Sequence, residues 1–354
     1  MAIDWRQGMR RTYELVRLTD GWTEGEKVQD LTDLSITYEG KGLRYSASFT
    51  PYDELADGYY RVYMVCTQSL RDAVESERVA LATVRVQSPK TQMDGRSRSW
   101  KAVGYSPLVE LDSDYPPIGW TAQGTVVTQA EAIAARCPAP CSYPASDASM
   151  AAWTAEDGDT WLACLEAVLA KAAMHVEVDG MGRVLFVPDP KPNEAPVWTF
   201  DDAAYGLPSI LAPDVEDETD YYELANKVEV VYSDDMVCHV GTAVNDDPLS
   251  RGSTVARGYV NAVRETSPEI DEPVTAAKVQ ALAERMLAEQ GRATHSASFS
   301  HAFVPDVMVG RTVRLDYTRF GYRADGRVVK QSMKCDAAAL VDTEIEYEEA
   351  LYAQ

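Results

Sequence analysis

The sequence predicts an α+β chain that is mainly β, with two β modules flanking a small α/β module. Three observations carry this expectation. Alternating segments rich in Val, Tyr and Thr fill the first third and return after residue 290, as half-buried strands do. Between them the apolar spacing changes to a period near 3.6, which belongs to helices. All seven Trp lie between Trp5 and Trp198 and none follows, so the modules have different cores. The expected boundaries are 1–118, 119–200 and 201–354.

In the first module ELVRL (14–18), LSITYEG (34–40) and LRYSASF (43–49) read as strands, with Gly40-Lys41-Gly42 as the turn between the last two. GYYRVYMVC (58–66) and VALATVRVQS (79–88) follow. Asp94-Gly95 is expected to reverse the chain into SWKAVGYSPL, and Ser106-Pro107 to end that strand.

The second module opens with a short Ala-rich helix for which Thr128 and Glu131 offer a capping box, closed by Pro138. Asp159 is the expected N-cap of a stronger helix, where Trp161, Leu165, Val168 or Leu169 and Ala172 share a face. HVEV-DGMG-RVLFVP (175–188) reads as a hairpin with an Asp-Gly turn. From Asp189 to Glu223 there are ten acidic residues, one Lys and five Pro, which predicts a solvated crossing. The third module begins at NKVEVVY (226–232) and continues through a loop at 245–254. A helix over 275–290 is expected to present Val279, Leu282, Met286 and Gln290 on one face. Strands are expected at 294–303, 310–317, 326–335 and 343–349.

Charge limits the function classes. With 56 acidic and 33 basic residues the net charge is −23, against a high-affinity nucleic-acid binder, which needs basic surface to replace phosphate counterions. It is compatible with a surface that nucleic acid passes without sticking. No apolar run approaches the ~20 residues of a membrane span, and MAIDWRQGMRR lacks the apolar core of a secretory signal. The expectation is synthesis in the cytoplasm, without export by a cleaved signal.

Candidate chemistry is sparse. Gly104-Tyr105-Ser106-Pro107 lacks the second Gly of a nucleophile elbow, and no strand-to-helix turn is expected around it. Cys238 and His239 point to opposite faces of a strand. Cys137 and Cys141 straddle two Pro without a second ligand pair, so a local disulfide or two plain thiols fit better than zinc. His295 and His301 share a strand face but lie ~20 Å apart, at ~3.3 Å per residue, too far to hold one ion. Phosphate loops, HExxH and EF-hand spacing are absent, and no cofactor is expected. The notable arrangement is Asp342, Glu344, Glu346 and Glu348, which alternate with Thr343, Ile345 and Tyr347 and so line one face of a strand. Such a ladder is a solvated sheet face or, in the sharper reading, the wall of a water-filled channel that repels phosphate.

The order of these pieces resembles the hub proteins of bacteriophage tails and baseplates. VALATVRVQSPKTQMDGRSRSWKAVGYSPLVELDSD looks like the strand, Asp-Gly reversal and Tyr-Ser-Pro-Leu strand that recur there. GDTWLACLEAVLAKAAMHVEVDGMGRVLFVPDP resembles the family's helix-plus-hairpin. NKVEVVY, the DDPLS loop, AERMLAEQGRA, VPDVMVGRTVRLDY and GRVVKQSMKC resemble its second half. The resemblance implies two tail-tube-like antiparallel β-barrel domains with an α/β domain between them. It implies a homotrimeric ring without catalysis, joining the sixfold tail tube to the threefold tip of the virion. The partners it implies are a tail tube or distal tail protein, a tape measure protein, and tip, spike or fibre proteins, with DNA only in transit and no stable membrane segment. Within that ring the acids 342–348 become channel-lining candidates, and Arg96 and Arg98 candidate inter-subunit charges.

Two other classes stand beside this one. A cell-wall hydrolase at the tail tip would use carboxylates such as Asp157 and Asp159, which must sit about 5–9 Å apart in a cleft. A carbohydrate-binding adhesin would draw on the 19 Tyr and seven Trp, but should expose them on loops.

Overall fold

The computed structural model describes residues 3–351 except 29–30, 71–72, 88–89, 94, 96–97, 192–193, 203–209, 223, 235–236, 267, 269 and 271–272. The chain forms two units, Met1–Asp214 with Phe299–Glu344 (unit 1) and Val215–Ser298 with Ile345–Gln354 (unit 2). It is mainly β, as expected, and its hairpins are antiparallel.

Unit 1 begins with β1 (Arg10–Leu18), β2 (Glu24–Val28), β3 (Leu31–Glu39), β4 (Tyr45–Pro51), β5 (Gly58–Leu70), β6 (Ala73–Val86), β7 (Lys90–Met93) and β8 (Arg98–Tyr105). Their spatial order is β3-β4-β8-β6-β5-β1-β2, with β7 on β8. Strict alternation produces the core: Tyr45, Ala47 and Phe49 of β4 point inward against Ile36, Val62, Met64 and Val84. On β5 the intervening residues are buried too, since Arg61 and Tyr63 face a second layer.

That layer comprises α1 (Val109–Asp112), β9 (Thr121–Thr125), α2 (Val126–Ala134), β10 (Cys141–Ser142), β11 (Ser149–Thr154), α3 (Trp161–Ala170), β12 (Met174–Val178) and β13 (Val184–Pro188). Ala130, Ile133, Trp161, Leu165, Val168 and Phe186 fill its core. Three expectations need correction. First, α2 starts at Val126 after Thr125, which makes no side-chain cap, and Thr128 lies inside the helix. Burial of Val126 and Val127 fixes the first turn ahead of any capping box. Second, the N-cap of α3 is Thr160, whose Oγ1 accepts from Ala163 N at 3.2 Å, while Asp159 accepts from Glu156 N at 2.9 Å and closes the preceding turn. Third, α1 does follow Ser106, yet Ser106 is fully buried, donates to the Leu43 carbonyl and accepts from Leu108 N, so it pins the chain.

The loop Asp179–Arg183 joining β12 and β13 lies on β5 and β6. Arg61 Nη2 and Trp22 Nε1 both donate to the Met181 carbonyl, at 2.8 and 3.0 Å. Thr83 Oγ1 donates to the Gly180 carbonyl at 2.9 Å. Glycine is required twice: a Cβ on Gly180 would sit 2.0 Å from Ala80 O, and Gly182 has φ +76° with Thr83 against it.

The acidic stretch after Asp189 is not only a crossing, for it contributes β14 (Trp198–Asp201) and β15 (Leu211–Asp220). Unit 2 then holds β16 (Lys227–Ser233), β17 (Cys238–Val244), α4 (Thr254–Arg257), β18 (Ala262–Glu265) and α5 (Ala276–Gln290). Helix α5 is capped by Thr275 and buries Val279, Ala283 and Leu287 against Val228, Val230 and Ala243. Leu282 and Met286 flank that stripe and Gln290 is exposed, so the buried face is rotated from the expected one. The tight seat of α5 on β17 sets the rotation, because a Cβ at Gly241 would lie 2.5 Å from Val279 O. The last strands are β19 (Arg292–Ala302), β20 (Thr312–Tyr317), β21 (Tyr322–Lys334) and β22 (Leu340–Ala350). They extend the sheet beyond β3 in the order β15-β19-β22-β21-β3, with β20 between β14 and β21.

Candidate functional site

Strand β22 sorts its side chains by parity. Val341, Thr343 and Ile345 are buried, Asp342, Glu346 and Glu348 are exposed, and Glu344 is half-buried. In unit 1 Ser300 Oγ on β19 donates to Asp342 Oδ1 at 2.5 Å. The opposite face there is core. His301 is buried, its Nδ1 lies 2.7 Å from the Ala302 carbonyl, and its Nε2 lies 2.8 Å from Thr343 Oγ1. The Ala302 carbonyl can only accept, so Nδ1 carries a proton, and in the neutral imidazole Nε2 accepts from the Thr343 hydroxyl, to which Gln331 Nε2 donates. Burial among Phe200 and Phe299 pushes the His301 pKa down to about 4.

In unit 2 the same parity holds across three strands. His295 of β19 contacts Thr219 Oγ1 at 2.8 Å and Glu349 Oε2 at 3.1 Å, and stacks on Tyr347, whose hydroxyl donates to Asp217. The odd residues of β15, β19 and β22 therefore share one face. The even residues make the other: Glu216 and Glu218 on β15, Thr294, Ser296 and Ser298 on β19, and Glu346 and Glu348 on β22. Arg292 Nη1 meets Glu348 Oε2 at 3.0 Å. This face carries carboxylates and hydroxyls, with the Arg292 guanidinium at one end. Among the described residues no three His, Cys, Asp or Glu side chains are grouped to hold a metal ion. Sequence reading singled out 342–348 but left Glu216 and Glu218 in a solvated crossing. The period-two spacing of Asp214, Glu216, Glu218 and Asp220 is the signal that could have placed them on a strand.

The remaining candidates lie apart from this face. Arg98 is exposed, 3.6 Å from Glu54, with its guanidinium 4.8 Å over the Trp100 ring, while Arg96 falls outside the described residues, as does Asp94. Cys137 and Cys141 are free thiols, both pushed up to about 11 by burial. Asp157 and Asp159 border a groove of about 270 Å³ with Tyr115 and Ile118. A larger cavity of about 540 Å³ is lined by Tyr38, Arg44, His175, Glu177, Met308 and Arg311. There His175 bridges Glu177 at 3.1 Å and Asp189 at 2.9 Å, which holds the imidazole pKa above its ordinary value and that of Glu177 below. Among the described residues no helix is long and apolar enough to cross a membrane.

Comparison with known proteins gives the fold a setting. No protein-family model and no curated protein matches the sequence. Among solved structures, a tail protein from Neisseria meningitidis superposes with a TM-score of 0.62 at 14% identity, covering 98% of each chain. The 43 kDa tail protein of prophage MuSo2 from Shewanella oneidensis gives 0.60 at 13% identity, over 94% of this chain and 97% of that one. The prophage tail protein gp18 from Listeria monocytogenes gives 0.51 at 11% identity, over 94% of each. The chain has the fold of these phage tail proteins along nearly its whole length.

Proposed function

We propose that this chain, built on the tail-protein fold, is a non-catalytic structural hub of a phage tail tip or baseplate. Three copies form a ring that adapts the sixfold tail tube to the threefold tip, and DNA passes through it during genome ejection. Its partners in the virion are the tube or distal tail protein, the tape measure protein, and tip, spike or fibre proteins. The observation that carries this reading is the acidic sheet face. Asp342, Glu344, Glu346 and Glu348 alternate along β22 with Val341, Thr343 and Ile345, whose burial fixes the strand in the core. A wall of fixed carboxylates repels phosphate and supplies no counterion replacement, which lets a duplex slide.

Charge reversal tests it. In particles carrying Glu344→Lys and Glu346→Lys, assembly is expected to be normal and DNA release impaired. Unaltered infectivity sinks the conduit. A strictly monomeric protein with cell-wall lytic activity sinks the hub itself.

A further inference from the structure

We infer that β7 of one copy adds to the free edge of β15 in a second copy, with Lys90 and Lys101 meeting Glu216 and Glu218. The inference rests on the ring reading and names the surfaces that close it.

The hairpin β7–β8 extends past the sheet. Its rungs pair Lys90 with Lys101, Thr91 with Trp100, Gln92 with Ser99 and Met93 with Arg98. Strand β8 pairs with β4 and β6 only from Ala102 onward, so among the described strands residues 98–101 pair with β7 alone. The outer edge of β7 has no strand against it among the described residues, and such an edge is a ready template for another chain.

Two lysines directly opposite each other repel, and both are exposed without an ion pair among the described residues. In a chain of net charge −23 an uncompensated cationic pair calls for an acidic partner. The other face of the hairpin suits an interface: Met93 is 70% exposed, Arg98 lies over Trp100, and Tyr52 near Glu54 is 73% exposed.

The main path of the large sheet ends in β2 and β15, while β14 and β7 end branches, β14 with Asp201 as its single acid. On β2 Glu24 pairs with Arg78 at 2.9 Å and Lys27 with Glu14 at 2.8 Å, which leaves Glu26 as its single acid without an ion pair among the described residues. On β15 both Glu216 and Glu218 are exposed and hold no ion pair among the described residues. Strand addition supplies main-chain hydrogen bonds, and lysine–glutamate pairs across the new seam set partner and register. Different patches meet, so the contact is head-to-tail and repeats until a ring closes.

Sedimentation equilibrium at rising protein concentration tests this, with thermal melts to confirm folding. The wild type is expected to associate, and more weakly as salt rises. Lys90→Glu with Lys101→Glu should weaken association by roughly tenfold or more, as should Glu216→Lys with Glu218→Lys, and all four together should restore it. Should a reversal fail to fold, Lys90→Gln with Lys101→Gln replaces it, and a smaller loss is expected. Association unchanged in every variant overturns this inference and leaves the ring standing, whereas a wild type monomeric at all concentrations overturns both. Duplex DNA retained by the wild type and released by the lysine variant, at unchanged mass, assigns the hairpin to nucleic acid instead and overturns it too.

Discussion

Arg61 Nη2 donates to the carbonyl oxygen of Met181 at 2.8 Å, across 120 residues of sequence. Arg61 is 2% exposed, and the other described partners of its guanidinium are Thr83 Oγ1 at 2.9 Å and the Tyr63 hydroxyl at 3.3 Å. Arg61→Ala strips donors from that network and empties the space between two layers. A loss of about 3 kcal/mol is expected in urea denaturation. Arg61→Lys should recover only part, because an ammonium does not span acceptors that match a planar fork.

Gly180→Ala tests the same contact from the loop side. Its Cβ would stand 2.0 Å from the Ala80 carbonyl oxygen, so the loop must lift off β6. The expected cost is about 2 kcal/mol or more, with faster amide exchange confined to residues 179–183 and Thr83. Unchanged exchange there would show that the loop is not anchored as described.

His301 makes stability depend on pH. Its folded pKa of about 4 lies below the unfolded value of about 6.5. Above pH ~6.5 the imidazole is neutral in both states and adds no slope. As pH falls towards 4 only the unfolded chain takes up the proton, so stability drops, by about 3 kcal/mol in all. Denaturant melts between pH 7 and 4 should lose that part of the slope in His301→Gln, whatever its stability at pH 7. His175 acts in the opposite sense. Its pKa is raised by Glu177 and Asp189, so its contribution is complete below ~6.5 and fades as pH rises through the folded value.

Helix starts provide a fourth test. Thr160→Ala removes the hydrogen bond to Ala163 N and should cost about 1 kcal/mol. Thr128→Ala sits inside α2, caps nothing, and should change stability by less than about 0.5 kcal/mol. The reverse ranking would restore the capping box.

Strand positions were legible because the alternation is strong: YSASFTP and LVDTEIEY sort inward and outward residue by residue. Helix starts were less so. Asp159 stands beside the true cap Thr160, and Thr128 lies inside a helix whose start no side chain caps; burial of Val126 and Trp161 sets both starts. The acidic face was half legible. Residues 342–348 declared themselves by parity, but Pro213 and the density of acids made β15 look like linker. Long-range partners were not legible at all: nothing near Arg61 in sequence announces Met181.

The seat of Met181 on Arg61 and Trp22 also bears on synthesis. A nascent chain emerges from its N-terminus, so β5 and β6 are complete about a hundred residues before the loop that covers them. Until then Arg61 and Thr83 stay hydrated on an open sheet, and their hydrogen bonds form only when residue 181 arrives. The N-terminal strands therefore cannot be transplanted alone in their finished form, and recombination that exchanges them must carry the 179–183 loop along.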